Sequence, residues 1–499
     1  MAHESVELDV ELQKKMEEMK HEKEEEKALK EFKFYHGFLP REDLLFVLKN
    51  EGDYLLRVSE VGSGERTVEA DLSNKRAIIL SVLTEASPGD ASVMGPQSAP
   101  VKLKNVIIRR HISKYYVETA KFFDSLKELL EYYQSNPPQM NKTKFVLKNP
   151  VFQQRWEFKH SDVQLGRLLG EGEYGEVREG KLKKNDKTLD VAIKLTKGTG
   201  EMSKAKIKEM MREARLIRNF KHRNIVRLYG VAVDEQPLYI LLELVKGGAL
   251  NVYLRVNAEK VTVTEKMTMC KGAAQGVEYL HKQSCIHMDL AARNCLYSED
   301  KMVKISDFGL SRLGTSYTIR GARKMPIKWL APETIKSFTF SLKTDVFSYG
   351  VMVYEIFTNG NEPWDGYTNA EVKKGLVEGK VLTLPDSCPE AFRNFLREKV
   401  FAKDPAMRAN MSEVVAFIKQ HIADPVAQTL AQDKIEESRS VFERFVNPEY
   451  SSKTRTTDTN KSSSADNAKE PQVQPSEIQE RRKFKTTKGF HHRPTSRRR

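Results

Sequence analysis

Residues 285–296 read CIHMDLAARNCL. The stretch HMDLAARN lies within it, at 287–294. Asp289 sits in it, and Asn294 follows five residues later. A carboxylate in such a loop is a candidate general base, and an amide oxygen suits a hard cation. Met288 and Arg293 stand beside these two residues, and they raise the question of what the loop does and how it is controlled.

Working outward, ISDFGLS at 305–311 supplies Asp307, a second oxygen ligand close in sequence to Asn294. Upstream, LGEGEYGEV at 169–177 is glycine-rich. Glycines let a backbone lie close over phosphates because no Cβ intervenes. A dinucleotide fold would open a helix inside this motif, whereas here Val177 and a second strand follow, then DVAIK ending at Lys194. A helix follows that contains MMREARLIRNF, with Glu213 among Met210, Met211, Ile217 and Phe220. Alone, Glu213 reads as an ordinary solvated helix acid; its position after Lys194 makes it the candidate partner of that ammonium. APE at 331–333, Asp345 in KTDVFSYG and Arg408 in KDPAMRA complete the series.

These motifs, in this order, make residues 156–423 resemble a protein tyrosine kinase domain: a bilobal fold with a β-rich N-lobe and an α-rich C-lobe. LAARN and MPIKWLAPE are similar to the tyrosine-specific forms of the catalytic loop and substrate platform. The resemblance implies ATP and Mg²⁺, with Mn²⁺ the alternative ion. It implies that Asp289 takes the substrate proton, with Lys194, Glu213 and Arg293 completing the catalytic set, and that Asn294 and Asp307 hold the metal. Leu169, Gly170, Gly172, Gly175, Val177, Ala192 and Leu296 would enclose ATP. Leu242 would be the gatekeeper and Glu243 to Val245 the hinge. His287, Phe308, Ile217 and Leu228 would form the regulatory spine.

Before this unit, residues 34–136 read as an α+β domain: strands DYLLRVS, AIILSVL and NVIIRRHI between two helices. YLLRVSE and FYHGFLPRED resemble the phosphate-gripping strand and the opening of an SH2 domain. The resemblance makes Arg57 the arginine that forks onto a phosphotyrosine, with Arg41 and Ser59 as further donors. Asn105 stands where many members carry a histidine. The chain as a whole is therefore α+β, an SH2 domain followed by a bilobal protein kinase fold. The combination, with KNPVFQQRWEFKHSDVQLGRLLGEG and LYILLELVKGGAL, resembles the Fes/Fer group of non-receptor tyrosine kinases. About 33 residues precede the SH2-like region, so the expectation is that the group's membrane-curving domain is absent. The implied partners are phosphotyrosine-containing proteins and protein tyrosine substrates.

Residues 137–155 read as a linker, opened by SNPPQMNKTK with its two prolines and polar residues. Residues 1–33 read as a charged helical or disordered extension, and 424–499 as a disordered basic tail. From Arg481 to Arg499 there are nine Lys or Arg and no acid, a pattern suited to an anionic membrane surface. No stretch approaches the roughly 18 apolar residues a membrane span requires. The four cysteines form no CxxC pair, which argues against a disulfide framework or zinc site. The expected location is cytoplasmic, peripheral at the plasma membrane where the tail engages.

Regulation is the open part of this reading. Tyr317, in LGTSYTIRGARK, is the expected activation-loop phosphosite. In arginine-containing relatives the phosphate pairs with the arginine that Met288 replaces, and with a loop arginine such as Arg323. Phosphorylation is therefore expected to contribute less to activation here. The same methionine, with Phe347, Ala409 and Met411, motivates the alternative of a kinase-dead phosphotyrosine-binding adaptor.

Overall fold

Glu, Lys, Met and Leu dominate the first 31 residues, and these good helix formers build α1 (Ala2–Glu31). The structure, a computed structural model, describes residues 2–60, 76–85, 93–94, 100–111, 113–140, 143–171, 175–196, 203–320 and 325–421. Gly172, Arg323 and the basic tail lie outside the described residues. The last turns of α1 are docked: Leu29 is buried, Glu25 approaches Arg110, and Lys30 bonds Glu26 and Glu235.

The first domain has a central antiparallel sheet of β1 (Asp53–Glu60), β2 (Arg76–Glu85) and β3 (Pro100–His111). A short helical segment at 41–47 covers one face, and α2 (Leu126–Ser135), capped by Ser125, covers the other. The segment expected as a linker is packed instead. Phe145 and Leu147 enter the domain core, and β4 (Asn149–Pro150) pairs in parallel with β1. Two buried apolar side chains outweigh the polar composition that surrounds them.

The second domain begins with β5 (Glu157–Phe158). The strands β6 (Val163–Glu171), β7 (Glu176–Lys184) and β8 (Lys187–Leu195) follow. Helix α3 (Lys204–Arg218) interrupts them before β9 (Leu228–Ala232) and β10 (Tyr239–Glu243). The sheet order is β6–β7–β8–β10–β9–β5. The C-lobe is built on α4 (Val263–Lys282) and α5 (Leu342–Phe357), which share one large apolar core. Among the described residues no helix is long and apolar enough to cross a membrane.

The first domain is packed on the N-lobe, and one apolar cluster runs from its sheet into Ile207, Met210, Met211 and Ala214 of α3. Around it, Asp43 accepts two hydrogen bonds from Arg215, at 2.8 and 2.7 Å, and Glu42 pairs with Lys208 at 2.7 Å. His36 and Glu157 form a buried pair at 2.8 Å. The closest approach is at Gly37 (φ +53°), where an added Cβ would stand 2.0 Å from the Val233 carbonyl oxygen. Gly37→Ala is therefore expected to push the domains apart, at a cost of about 1–3 kcal/mol. Urea denaturation should show a lowered midpoint; an unchanged one would mean the domains do not rely on this contact.

Candidate active site

A hairpin brings together Asn294 and Asp307, the two residues expected to hold the metal. The strands β11 (Cys295–Tyr297) and β12 (Val303–Ile305) pair Cys295 with Ile305, so Asn294 at one end faces the turn to Asp307 at the other. Ser306 donates its N–H to the Asn294 carbonyl at 2.9 Å and locks the two ends. The Asn294 amide nitrogen donates to the Asp289 carboxylate and carbonyl, both at 2.8 Å, leaving its carbonyl oxygen to accept. Arg293 holds the other carboxylate oxygen of Asp289 at 2.5 Å while stacking 4.3 Å over Trp329. Thus Asp289, Arg293 and Asn294 form one oriented group.

The loop that carries them is pinned by α5. Asp345 accepts from the His287 and Met288 N–H groups at 2.7 and 3.0 Å. Ten residues on, about 15 Å along a helix, Glu355 accepts from Ala292 N–H at 2.8 Å and from the Trp329 indole at 3.0 Å. Met288 is buried in the C-lobe core with φ +70°, a strained backbone for a residue bearing a side chain. His287 bonds the Ser306 carbonyl through Nε2 and packs edge-on against Phe308, with ring centroids 5.2 Å apart. Ile217 and Phe308 lie in the same apolar core, with Leu228 against it.

Above the loop, Lys194 reaches Glu213 at 2.8 and 2.9 Å and Asp307 at 3.3 Å. Burial works against the Lys194 charge, but the two carboxylates outweigh it and raise its pKa. Burial also works against the charge of Asp307, which Lys194 and the Gly309 N–H hold below the usual carboxylate range. Register puts Val177 opposite Lys194, and Ala192 opposite Leu242, so these four line one face of the sheet. Gly175 is held where an added Cβ would lie 2.3 Å from the Leu195 carbonyl oxygen. Leu169 and Gly170 lie on the open β6 edge, and Leu296 bridges Ala249 below. Glu243 is tied to Lys304 at 3.0 Å, and Val245 is buried.

Tyr317 lies in β13 (Ser316–Thr318), paired to Phe340 of β14 (Thr339–Ser341). The Arg312 guanidinium stacks 5.0 Å over its ring. In the first domain, Arg57 is buried, with Nε on the Ser81 hydroxyl at 3.0 Å and Nη2 on the Asn105 carbonyl oxygen at 3.1 Å. Ser59 lies two residues along the same strand, and Arg41 is exposed at the start of the covering helical segment. Burial, then the Arg41 charge, presses against the charged form of Arg57, a penalty an anion would relieve.

Comparison with known proteins agrees with this arrangement. Residues 163–418 match the family described as protein tyrosine and serine/threonine kinase, and 34–133 match the SH2 domain. The tyrosine-protein kinase transforming protein Fps of avian sarcoma virus (strain PRCII) is 33% identical over 407 residues, 80% of this chain and 70% of the viral protein. Human tyrosine-protein kinase Fer is 34% identical over 393 residues, covering 78% of this chain and 44% of Fer. The chain belongs to the Fps/Fer tyrosine kinases. Fer-related kinase 1 of Caenorhabditis elegans is 31% identical over 383 residues, 76% of this chain and 91% of that kinase. This Fps/Fer kinase thus spans most of the worm and viral relatives but under half of human Fer.

Several residues of this kinase site escaped the sequence reading: Glu355, Trp329, Arg312, Ser81 and Asp43. Their partners lie far away in the chain, and only Arg312, five residues before Tyr317, had a local signal. Burial raises the Glu355 pKa to about 7, against Trp329, Ala292 and Arg293, which lower it. Such a group binds a proton in the folded state that the unfolded state has released, so its contribution falls as pH rises from about 4.5 to 7. Glu355→Gln is expected to gain stability relative to the parent across that window, by up to about 3 kcal/mol. Urea unfolding at pH 5 and 7.5 checks this; an equal difference at both pH values would contradict it.

Proposed function

We propose that this kinase transfers the γ-phosphate of ATP to tyrosines of proteins gathered by its SH2 domain. The observation that carries the reading is the closed array in which Lys194 bonds both Glu213 and Asp307 above the oriented Asp289. Lys194 would hold the α- and β-phosphates, and its raised pKa keeps it cationic there. The Asp289 carboxylate, held by Arg293 and Asn294, would accept the tyrosine hydroxyl proton as that oxygen attacks the γ-phosphorus. Arg293 stacked on Trp329 would form one wall of the platform for the phenol.

The donor set fits Mg²⁺, or Mn²⁺ as the alternative. The Asn294 carbonyl oxygen and the Asp307 carboxylate are hard oxygen ligands. Among the described residues no cluster of three or more His, Cys, Asp or Glu exists to hold a metal, as suits an ion that takes its remaining ligands from phosphate and water. When bound, the ion would neutralise charge on the phosphates. Val177, Ala192, Leu242 and Leu296 would hold the adenine, against the hinge at Glu243 to Val245.

Arg57 would grip the phosphate of a phosphotyrosine, with Arg41 and Ser59 adding donors and Asn105 steering the guanidinium. Docked partners would then present their tyrosines at high effective concentration. The basic segment 481–499 would add affinity for anionic lipid, about 1 kcal/mol per Lys or Arg near the surface. With that segment engaged, the kinase would work in the cytoplasm, peripheral at the plasma membrane.

Two experiments test the reading. With a tyrosine peptide and Mg-ATP, Asp289→Asn is expected to lower kcat by about 10²–10⁴-fold, and Arg57→Lys to abolish phosphopeptide binding while sparing peptide phosphorylation. Full activity in Asp289→Asn would leave the adaptor reading standing. Second, Tyr317→Phe is expected to lower kcat by less than about tenfold, because Met288 offers a phosphate no charge. Loss of all activity in Tyr317→Phe, with Met288→Arg unchanged from the parent, would overturn that expectation.

A further inference from the structure

Helix α3 meets the Asp307–Gly309 turn at two points. One is Glu213, whose carboxylate pairs with Lys194 and would stand 3.7 Å from a Cβ added at Gly309. The other is the preceding residue: Arg212 donates from Nη2 to the Gly309 carbonyl at 3.0 Å. A carboxylate and a guanidinium donor on α3 thus both approach the turn. Asp307 is held there with φ +58°, a backbone that a residue with a side chain adopts only under constraint. The turn is also crowded, since an added Cβ at Gly309 would stand 3.3 Å from the Asp307 carboxylate.

We propose that Arg212 is a positioning residue for phosphoryl transfer, one that latches the Asp307–Gly309 turn to α3 without any phosphate on Tyr317. The inference rests on the assignment of Asp307 as a metal ligand. A guanidinium-to-carbonyl bond is charge-assisted and stronger than a neutral one. Its partners, Arg212 and Gly309, are both separate from Tyr317, whose ring lies against Arg312. The position between His287 and Asp289, which could have tied a phosphate to the loop, is a buried methionine. The latch therefore supplies, from inside the N-lobe, order that the activation loop cannot draw from that position. If α3 swings out, Lys194–Glu213 and Arg212–Gly309 break together, so the turn and the helix move as one unit.

The test compares the phosphatase-treated full chain with Arg212→Met, Arg212→Lys and Asp307→Asn. Arg212→Met keeps an unbranched apolar stem and removes the donor. It is expected to lower kcat about tenfold and raise the Mg²⁺ concentration for half-maximal rate, with the KM for ATP nearly unchanged. Hydrogen exchange of residues 306–310 in nucleotide-free protein should quicken in the same variant, a readout independent of turnover. Arg212→Lys should recover at least half of both effects. Parent-like exchange and Mg²⁺ dependence in Arg212→Met, with Asp307→Asn inactive, would overturn the latch alone. Parent-like turnover in Asp307→Asn would overturn the metal assignment and the latch with it.

Discussion

Glu213 is a carboxylate inside the protein, and a buried charge persists only with its partner in place. That constraint sets the rotation of α3. Once Glu213 faces Lys194, successive residues are turned by about 100°, so Arg212 and Arg215 flank it, about 60° apart and one turn of the helix along from each other. Arg212 reaches the Asp307–Gly309 turn, Glu213 the roof of the site, and Arg215 reaches Asp43 in the SH2 domain. A single ion pair thereby helps fix how the helix meets the Asp307–Gly309 turn and the neighbouring domain. The apolar side of α3 follows, since Met210, Met211 and Ala214 complete the cluster that begins in the SH2 sheet.

The C-lobe uses the same logic on a stiffer support. Helix α5 is buried almost throughout, yet it carries Asp345 and Glu355. Both acids spend their oxygens on N–H groups of the catalytic loop or on Trp329. The loop has little regular structure of its own, and its shape is held from below by a helix that cannot bend without losing core packing. Met288 fits this frame. Its side chain joins the core, its N–H answers Asp345, and the residues on either side remain in position. The loss of charge at 288 alters what an activation-loop phosphate can hold and leaves the groups around Asp289 oriented.

Much of this was legible in the sequence. Short apolar runs marked β1, β2 and β3. The motifs around Lys194, Asp289 and Asp307 marked the second domain as a kinase. The segment 137–155 misled because its prolines and polar residues outnumber Phe145 and Leu147, the two side chains that decide its packing. The end of α1 misled in the same way, since one buried leucine and a few ion pairs dock it despite an otherwise solvated composition.

The sequence by itself determined the reactive groups, their order, and the two kinds of domain that carry them, because those follow from residue type and local spacing. Tertiary structure decided which charges are paired. Asp43 with Arg215, Glu355 with Trp329 and Ala292, and Arg212 with Gly309 lie far apart along the chain, and no local spacing encodes them. Arg212 and Arg215 carry the same side chain three residues apart. Only the tertiary packing around α3 gives one to the Asp307–Gly309 turn and the other to Asp43 of the SH2 domain.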